Sequence, residues 1–219
     1  MENSKQNMKI LAQQIEELNE NLAKQLPIEV LEVFSKSIEE LKTQGIGEGS
    51  IKLGERFPNF SLQNTNDERV ELKELLKNGK VIVAFFRGSW CPYCNLELKA
   101  LQEDLKQIVD KKTELVVITP QKSDYSNELK NNHQLDFELL TDKDNALAKQ
   151  LGISFELQNY VIPTYKSLGI DLSNYNDNDN NELPIPAVFV IDTDYHITYK
   201  FVDANYMNRI NIQELILQL

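Results

Sequence analysis

Two short apolar segments separated by an amphipathic stretch constrain the fold of this chain most strongly. The segments are VIVAFFR (81–87) and ELVVITP (114–120), and both have the β-branched composition of buried parallel strands. Between them, apolar residues recur at helical spacing, at Leu98, Leu101, Leu105 and Ile108. A strand, a helix and a second strand in such close succession predict a right-handed βαβ unit.

The remaining pattern extends this unit to an α/β fold. ALAKQLGI (146–153) has helical periodicity, and residues 187–203 alternate as a hairpin with its turn at Asp194 and Tyr195. The final NIQELILQL (211–219) is again helical. Together these elements predict a central mixed β-sheet flanked by helices.

The first fifty residues predict two amphipathic helices. The first spans residues 5–26, with its apolar stripe at Met8, Leu11, Ile15, Leu18 and Leu22. A second helix can start at Pro27, and the glycines of TQGIGEGS (43–50) end it. We therefore expect a helical N-terminal extension (1–50) and a main domain (51–219). The extension can pack on the domain or form a homodimer contact. Packing is favoured because two heptads are too few for an independent coiled coil.

Composition limits the partners and the compartment. The 219 residues carry a net charge of −11, which disfavours nucleic acid and anionic membranes as partners. No apolar run approaches the length of a membrane span, and MENSKQNMKI (1–10) lacks the apolar core of a signal peptide. We therefore expect a cytoplasmic protein. In that compartment a C-x-x-C pair indicates catalysis or metal binding rather than a structural disulfide.

The only two cysteines, Cys91 and Cys94, lie in FFRGSWCPYCNLEL (85–98). A zinc site needs further ligands, but the chain has only two histidines, in unlike contexts, so we expect no metal. Two inert buried thiols remain an alternative. The pair, however, lies where a strand ends and a helix begins, and a helix N-terminus stabilises a thiolate. Pro92 suits the first turn of that helix. These features favour a redox pair.

Two segments resemble the thioredoxin superfamily. SWCPYC resembles the W-C-x-x-C active-site sequence, and LPIPAVFVID (183–192) resembles the segment that carries the family's cis-proline. The resemblance implies that Pro186 is in the cis form and lies against the disulfide, where it shapes the site. Trp90 has two interpretations: it covers the disulfide and forms part of a docking surface for partner proteins, or it is a half-buried core aromatic.

A longer stretch, from about residue 51 to the end, is similar to peroxiredoxins of the alkyl hydroperoxide reductase and thiol-specific antioxidant (AhpC/TSA) family. The similarity rests on Gly54, Pro58, Phe60 and Leu62, and on FELLTDKDNALAKQLGI (137–153). FVDANYMNR (201–209) resembles a peroxiredoxin-like subgroup with a C-x-x-C. The resemblance implies an antioxidant enzyme that reduces hydrogen peroxide or organic hydroperoxides. Its electrons would come from a thioredoxin-like donor, and no cofactor is implied.

The two resemblances assign the cysteines differently. In thioredoxin-type reductases the first cysteine, here Cys91, attacks and the second resolves the mixed disulfide. In peroxiredoxins a T-x-x-C places the attacking cysteine at Cys94, and Cys91 replaces the threonine. Cys94 would then form a sulfenic acid, which Cys91 converts to a disulfide. The long segments on either side of the cysteines that resemble peroxiredoxins favour Cys94 as the attacking cysteine.

The chain departs from the peroxiredoxin pattern in its polar groups. The threonine is absent, the shielding proline falls on Arg87, and the later active-site arginine has no match in LPIPAVFVID. Arg87 either supplies a cation for the thiolate or lies on the surface. Arg209 is a weaker candidate, and Tyr93 is expected to be exposed. The alternatives to a peroxidase are a cytosolic thiol-disulfide oxidoreductase and a non-enzymatic redox sensor whose N-terminal helices bind a partner.

Overall fold

The computed structural model describes residues 2–219, with side chains from Leu11 onwards. The side chain of Met8 in the predicted stripe therefore lies outside the described residues. The helices are α1 Glu2–Gln25, α2 Ile28–Thr43, α3 Leu72–Leu75, α4 Pro92–Glu103, α5 Leu105–Asp110, α6 Ser123–His133, α7 Ala146–Gln150, α8 Ile162–Ser167, α9 Leu172–Asn176 and α10 Ile212–Leu217. The strands are β1 Ser61–Asn64, β2 Arg69–Glu71, β3 Lys80–Phe85, β4 Thr113–Thr119, β5 Glu138–Thr141, β6 Ser154–Glu156, β7 Glu182–Pro184, β8 Ala187–Ile191 and β9 Ile197–Val202.

A seven-stranded mixed sheet forms the centre of the molecule, in the order β2-β1-β5-β4-β3-β8-β9. β4 runs parallel to both β3 and β5, and the remaining neighbours are antiparallel. The predicted βαβ unit is confirmed as β3, the α4–α5 segment and β4. The predicted hairpin is confirmed as β8 and β9, with Tyr195 in the left-handed conformation at its turn.

Both faces of the sheet are buried, which explains the continuous apolar runs. In β3, Val81, Val83 and Phe85 belong to one apolar cluster. The alternate residues Ile82 and Ala84 belong to the cluster on the opposite face. Successive side chains of a strand point to opposite faces, so a strand covered on both sides needs apolar residues throughout.

The predicted helix after the cysteines is interrupted once. α4 ends before Asp104, whose backbone leaves the helical region at φ −97° and ψ 2°. The buried Asp104 side chain accepts hydrogen bonds from Gln107 and, from α10, Gln213. Leu98 and Ile108, on either side of the interruption, remain fully buried in one cluster.

The two N-terminal helices pack on the rest of the chain. Leu11 of α1 and Ile38 of α2 are buried in the cluster that contains α4. Ser37 Oγ also donates a hydrogen bond of 2.8 Å to Gln158 Oε1. The packing favoured from the sequence is therefore observed. The division into residues 1–50 and 51–219, and a homodimer contact, stay predictions.

Within residues 2–219, none of the helices has the length and apolar character needed to traverse a bilayer.

Candidate active site

The cysteine pair lies at the junction between β3 and α4. Cys91 is the N-cap residue of α4 and Pro92 occupies its first turn, as predicted. The Cys91 N–H donates a hydrogen bond of 3.1 Å to the Gly88 carbonyl, which closes the turn. Both cysteines are free thiols with no exposed surface. The predicted redox pair therefore lies at a helix N-terminus but is fully covered.

Arg87 is buried beside the first cysteine. Its Nη2 lies 3.2 Å from Cys91 Sγ, and its Nη1 donates a hydrogen bond of 3.0 Å to Tyr165 Oη. The guanidinium carbon lies 3.7 Å from the centre of the Tyr206 ring. The alternative in which Arg87 is a surface residue is wrong, because only 4% of Arg87 is exposed.

Arg209 occupies the equivalent place beside the second cysteine. Its Nη2 lies 3.4 Å from Cys94 Sγ, and its Nε forms an ion pair of 3.4 Å with Glu97 Oε2. Both side chains of this ion pair are almost completely buried. Arg209 precedes α10 and does not belong to it, so the loop before that helix brings a second guanidinium to the thiols.

The charges around the two sulfurs separate their pKa values. Burial alone would raise the pKa of the Cys91 thiol. The hydrogen bond with Cys94 and the positive charges of Arg87 and Arg209 outweigh it and hold that pKa well below its usual value. Burial, together with the same hydrogen bond, raises the pKa of Cys94 well above its usual value. The arrangement favours a single thiolate, on Cys91, that shares the proton of the neighbouring thiol.

Aromatic side chains enclose the site. Trp90 is half-buried and packs edge-on against Tyr165, with ring centres 5.3 Å apart. Tyr93 packs similarly against Tyr206. The expected exposure of Tyr93 is wrong, since it is 4% exposed. The reason is that α1 covers it, and its hydroxyl donates a hydrogen bond to Asn19 Oδ1 of that helix.

The expected cis bond at Pro186 is also wrong. Every peptide bond within the described part of the chain is trans, including Ile185–Pro186. The trans form is the ordinary preference of a proline bond, and here it fits local hydrogen bonding. The Ile185 N–H donates to the Ile153 carbonyl over 2.8 Å, and the Pro186 carbonyl accepts from Asp203. Pro186 is buried, and its role in shaping the site stays a prediction.

Three further residues of the site were not found from the sequence. Tyr165 and Tyr206 come from segments far from the cysteines, and no local pattern marks them. Glu97 carried a usable signal, because it follows Cys94 by three residues and therefore shares a helix face with it. Burial raises the pKa of Glu97, and the charge of Arg209 partly offsets this.

The fold and the site together define a thioredoxin-like α/β protein with a buried dithiol at the start of a helix. The family model for the AhpC/TSA family matches residues 53–200, more than half of the chain. The chain therefore belongs to the AhpC/TSA family.

Curated relatives come from two groups. The chain is 29% identical over 104 residues to the putative peroxiredoxin bcp of Buchnera aphidicola, covering 48% of this chain and 65% of that protein. It is 35% identical over 72 residues to the thiol-disulfide oxidoreductase ResA of Bacillus subtilis, covering 33% of this chain and 39% of that protein. The chain thus spans less than two thirds of the length of either relative.

Solved structures share the fold at low identity. Peroxidoxin BcpB from Mycobacterium tuberculosis matches with a TM-score of 0.61 and 18% identity, covering 77% of this chain and 96% of that one. The reduced 2-Cys peroxiredoxin of Plasmodium vivax matches with a TM-score of 0.55 and 16% identity, covering 76% and 94%. These likenesses establish the thioredoxin-like fold of the chain.

Proposed function

We propose that this chain is a thiol peroxidase that reduces hydrogen peroxide or organic hydroperoxides through a Cys91/Cys94 dithiol-disulfide cycle. The observation that carries the proposal is the pair of buried guanidiniums, each within hydrogen-bond distance of one sulfur. A peroxidase needs a thiolate and donors that stabilise the departing oxygen. Arg87 and Arg209 stabilise the thiolate and provide such donors, although the family's threonine and later arginine are missing from their expected positions.

The chemistry proceeds in two steps. The thiolate attacks one oxygen of the peroxide, the O–O bond breaks, and the other oxygen leaves as an alkoxide or hydroxide that takes up a proton. The attacking sulfur becomes a sulfenic acid. The second thiol then attacks that sulfur, which releases water and forms the disulfide. Two electrons pass from the dithiol to the peroxide.

We propose that Cys91 is the attacking sulfur. The sequence favoured Cys94, but the charges and the sulfur–sulfur hydrogen bond around Cys91 favour its ionised form. Cys94 keeps its proton and therefore serves as the resolving thiol. Thioredoxin-type reductases use the same assignment, with the first cysteine attacking and the second resolving. Here the oxidant is a peroxide.

A thioredoxin-like protein is the proposed electron donor. It would reduce the disulfide by thiol–disulfide exchange. Because neither sulfur is exposed, the exchange requires the residues that cover the site to move apart. We place this cycle in the cytoplasm, where such donors operate. The net charge of −11 supports a protein that binds neither nucleic acid nor an anionic membrane. A homodimer built on the N-terminal helices remains part of the proposal.

We also propose that residues 1–50 form an extension of a domain spanning 51–219. The family match begins at residue 53, which supports this boundary. The extension is not independent, because Leu11 and Ile38 lie in the same apolar cluster as α4.

A coupled turnover assay tests the peroxidase proposal. The purified chain is mixed with thioredoxin, its reductase and NADPH, and NADPH consumption is followed after adding hydrogen peroxide or an organic hydroperoxide. We expect peroxide-dependent consumption that Cys91→Ser and Cys94→Ser each abolish. The similarity to ResA favours a second function, reduction of protein disulfides. Rapid reduction of insulin without any peroxide consumption would exclude the peroxidase and establish the second function.

A further inference from the structure

Arg87 is a buried cation that has no carboxylate partner among the side chains that the structure describes. None of the ion pairs between those side chains includes its guanidinium. Its Nη1 donates instead to the hydroxyl of Tyr165, and its guanidinium carbon lies over the ring of Tyr206. The positive charge is therefore held by neutral aromatic side chains, and its Nη2 is left to act on Cys91 Sγ at 3.2 Å.

Arg209 provides the contrast within the same site. Its Nε forms an ion pair with Glu97, so part of its charge is already neutralised where it acts on Cys94. A carboxylate beside Arg87 would weaken its effect on Cys91 in the same way, because neighbouring opposite charges cancel each other's field at a third group. A phenol hydroxyl accepts a hydrogen bond from a guanidinium without this cancellation. The neutral partners of Arg87 therefore favour an anion at Cys91.

A guanidinium needs such partners to remain in one place. The long arginine side chain has many rotamers, and few of them bring Nη2 to the sulfur of Cys91. The two tyrosines are themselves fixed by packing. Tyr165 is 4% exposed, and its ring packs edge-on against Phe34 of α2, with ring centres 6.0 Å apart. The ring of Tyr206 packs against Tyr93 with ring centres 5.6 Å apart. Both tyrosines can therefore restrict the guanidinium to the side of the site where the first cysteine lies.

We propose that Tyr165 and Tyr206 are positioning residues that hold the uncompensated charge of Arg87 against Cys91 and thereby select this sulfur for attack. The inference rests on the proposed function, in which Cys91 attacks the peroxide. It adds two residues that lie far from the cysteine segment in the sequence. Both act through Arg87 and take no part in bond formation.

The ionisation of Cys91 reports the position of the guanidinium. Apart from Arg87, the titratable groups that act on this sulfur or are acted on by it are Cys94, Arg209, Glu97, Tyr93, Tyr165 and Tyr206. Tyr165→Phe keeps the ring but removes the hydroxyl that binds Nη1. Since Arg87 lowers the pKa of Cys91, the variant should lose its thiolate at higher pH. We expect the ratio of thiolate to thiol at a given pH to fall by roughly two- to tenfold, because a whole charge contributes roughly 10- to 1000-fold.

The titration follows thiolate absorbance against pH. It is done in a Cys94→Ser background, where Cys91 is the single thiol. Tyrosinate also absorbs in the ultraviolet, so for each variant the curve of the form that also carries Cys91→Ser is subtracted. The difference between the two curves belongs to the thiolate.

Tyr125→Phe is the matched control. The hydroxyl of Tyr125 accepts a hydrogen bond of 2.9 Å from Asn174, as that of Tyr165 accepts one of 3.0 Å from Arg87. The control therefore removes an equivalent hydrogen bond that does not involve the guanidinium. We expect it to titrate as the parent protein does.

A positioning role is separated from a structural one by repeating Tyr165→Phe in an Arg87→Met background. If Tyr165 acts through Arg87, the substitution shifts the titration of the parent but not that of Arg87→Met. An equal shift in both backgrounds, or no shift in the parent, would overturn the assignment of Tyr165.

Two substitutions test the ring of Tyr206. Tyr206→Leu removes the ring from beneath the guanidinium and should also move the titration of Cys91 to higher pH. Tyr206→Phe keeps the ring and should restore most of the parent titration. If the leucine and phenylalanine variants titrate at the same pH, the ring of Tyr206 does not position Arg87.

Oxidation by stoichiometric hydrogen peroxide distinguishes this inference from the proposed function. We expect Tyr165→Phe to slow thiol loss over the pH range in which its titration differs from that of the wild type. If the wild type reacts no faster than free cysteine, the proposed function fails, while the titrations still decide whether the tyrosines position Arg87. If the wild type reacts fast and Tyr165→Phe titrates and reacts as it does, the positioning inference is overturned while the proposed function stands.

Discussion

Replacing Arg87 with methionine should raise the pKa of the Cys91 thiol. The guanidinium lies 3.2 Å from Cys91 Sγ and is buried with it. Methionine keeps a long apolar side chain but removes the charge and both hydrogen bonds of the guanidinium. Burial disfavours the charged thiolate, and without this cation less positive charge offsets that effect. The variant should therefore hold less Cys91 thiolate at neutral pH than the wild type.

The distance sets the size of the effect. An opposite charge this close to an ionisable group changes its ionisation equilibrium by roughly 10- to 1000-fold. That range corresponds to about 1.4–4 kcal/mol. Arg209 remains in the variant and continues to lower the pKa of Cys91, so the variant keeps part of the electrostatic stabilisation of the thiolate.

Ultraviolet absorbance of the thiolate, followed against pH, measures the change directly. The titration is done in a Cys94→Ser background, where Cys91 is the only thiol. Since the pKa of Cys91 is lowered in the folded state, its thiolate is retained to lower pH than that of an ordinary cysteine and is lost as the pH falls further. The Arg87→Met variant should lose its thiolate at higher pH. Peroxide oxidation of Cys91 should slow over the same pH range.

Two control variants make the result specific. Arg69→Met removes an exposed arginine on the edge strand β2 and should leave the titration unchanged. Arg87→Lys retains a positive charge and should move the titration less than methionine does. If Arg87→Met and Arg69→Met titrate at the same pH, Arg87 does not stabilise the thiolate and the electrostatic account of the site is wrong.

Two further predictions concern stability. Arg209→Met leaves the buried Glu97 carboxylate without its cation and should cost about 3–5 kcal/mol of unfolding free energy, measured by denaturant titration. The loss should shrink as the pH falls, because Glu97 then takes up a proton, and Arg209→Met/Glu97→Met should recover most of it. If the double variant is no more stable than Arg209→Met, loss of the ion pair does not explain the destabilisation. Gly88→Ala places a Cβ 2.3 Å from Trp90 Nε1 and should cost about 1–3 kcal/mol and shift the Trp90 fluorescence. Gly49→Ala, whose Cβ meets nothing within 4 Å, is the control, and equal losses in the two variants would refute the steric explanation.

The sequence predicted the parts of the fold in which periodicity is strong. β3 and β4 are apolar on both faces, and a fully covered parallel strand demands this. Short strands such as β2 and β6 have three residues each, too few for a pattern to be distinguished from a loop. At the interruption, Asp104 accepts a hydrogen bond from Gln213, and a local sequence pattern cannot predict a contact between residues so far apart in the chain.

The candidate site was predictable only where its residues are close in sequence. Cys91 and Cys94 were found because the C-x-x-C spacing has its own chemistry, and Pro92 because helix starts have a recognised composition. Tyr165 contacts Arg87 although the two residues are 78 positions apart in the chain, and no local sequence pattern predicts such a contact. Tyr93 was misjudged for the same reason, since its cover comes from Asn19 of α1.

The central claim is that Cys91 is the ionised sulfur that attacks the peroxide while Cys94 resolves. The most direct measurement is stoichiometric oxidation by hydrogen peroxide of the reduced wild type, Cys91→Ser and Cys94→Ser. Thiol loss is followed in time, and the products are identified by mass spectrometry.

We expect Cys94→Ser to react much faster than free cysteine and to stop at a sulfenic acid on Cys91, while Cys91→Ser reacts no faster than free cysteine. Fast oxidation that survives only in Cys91→Ser would instead make Cys94 the attacking thiol. A wild type that itself reacts no faster than free cysteine would contradict the peroxidase as a whole.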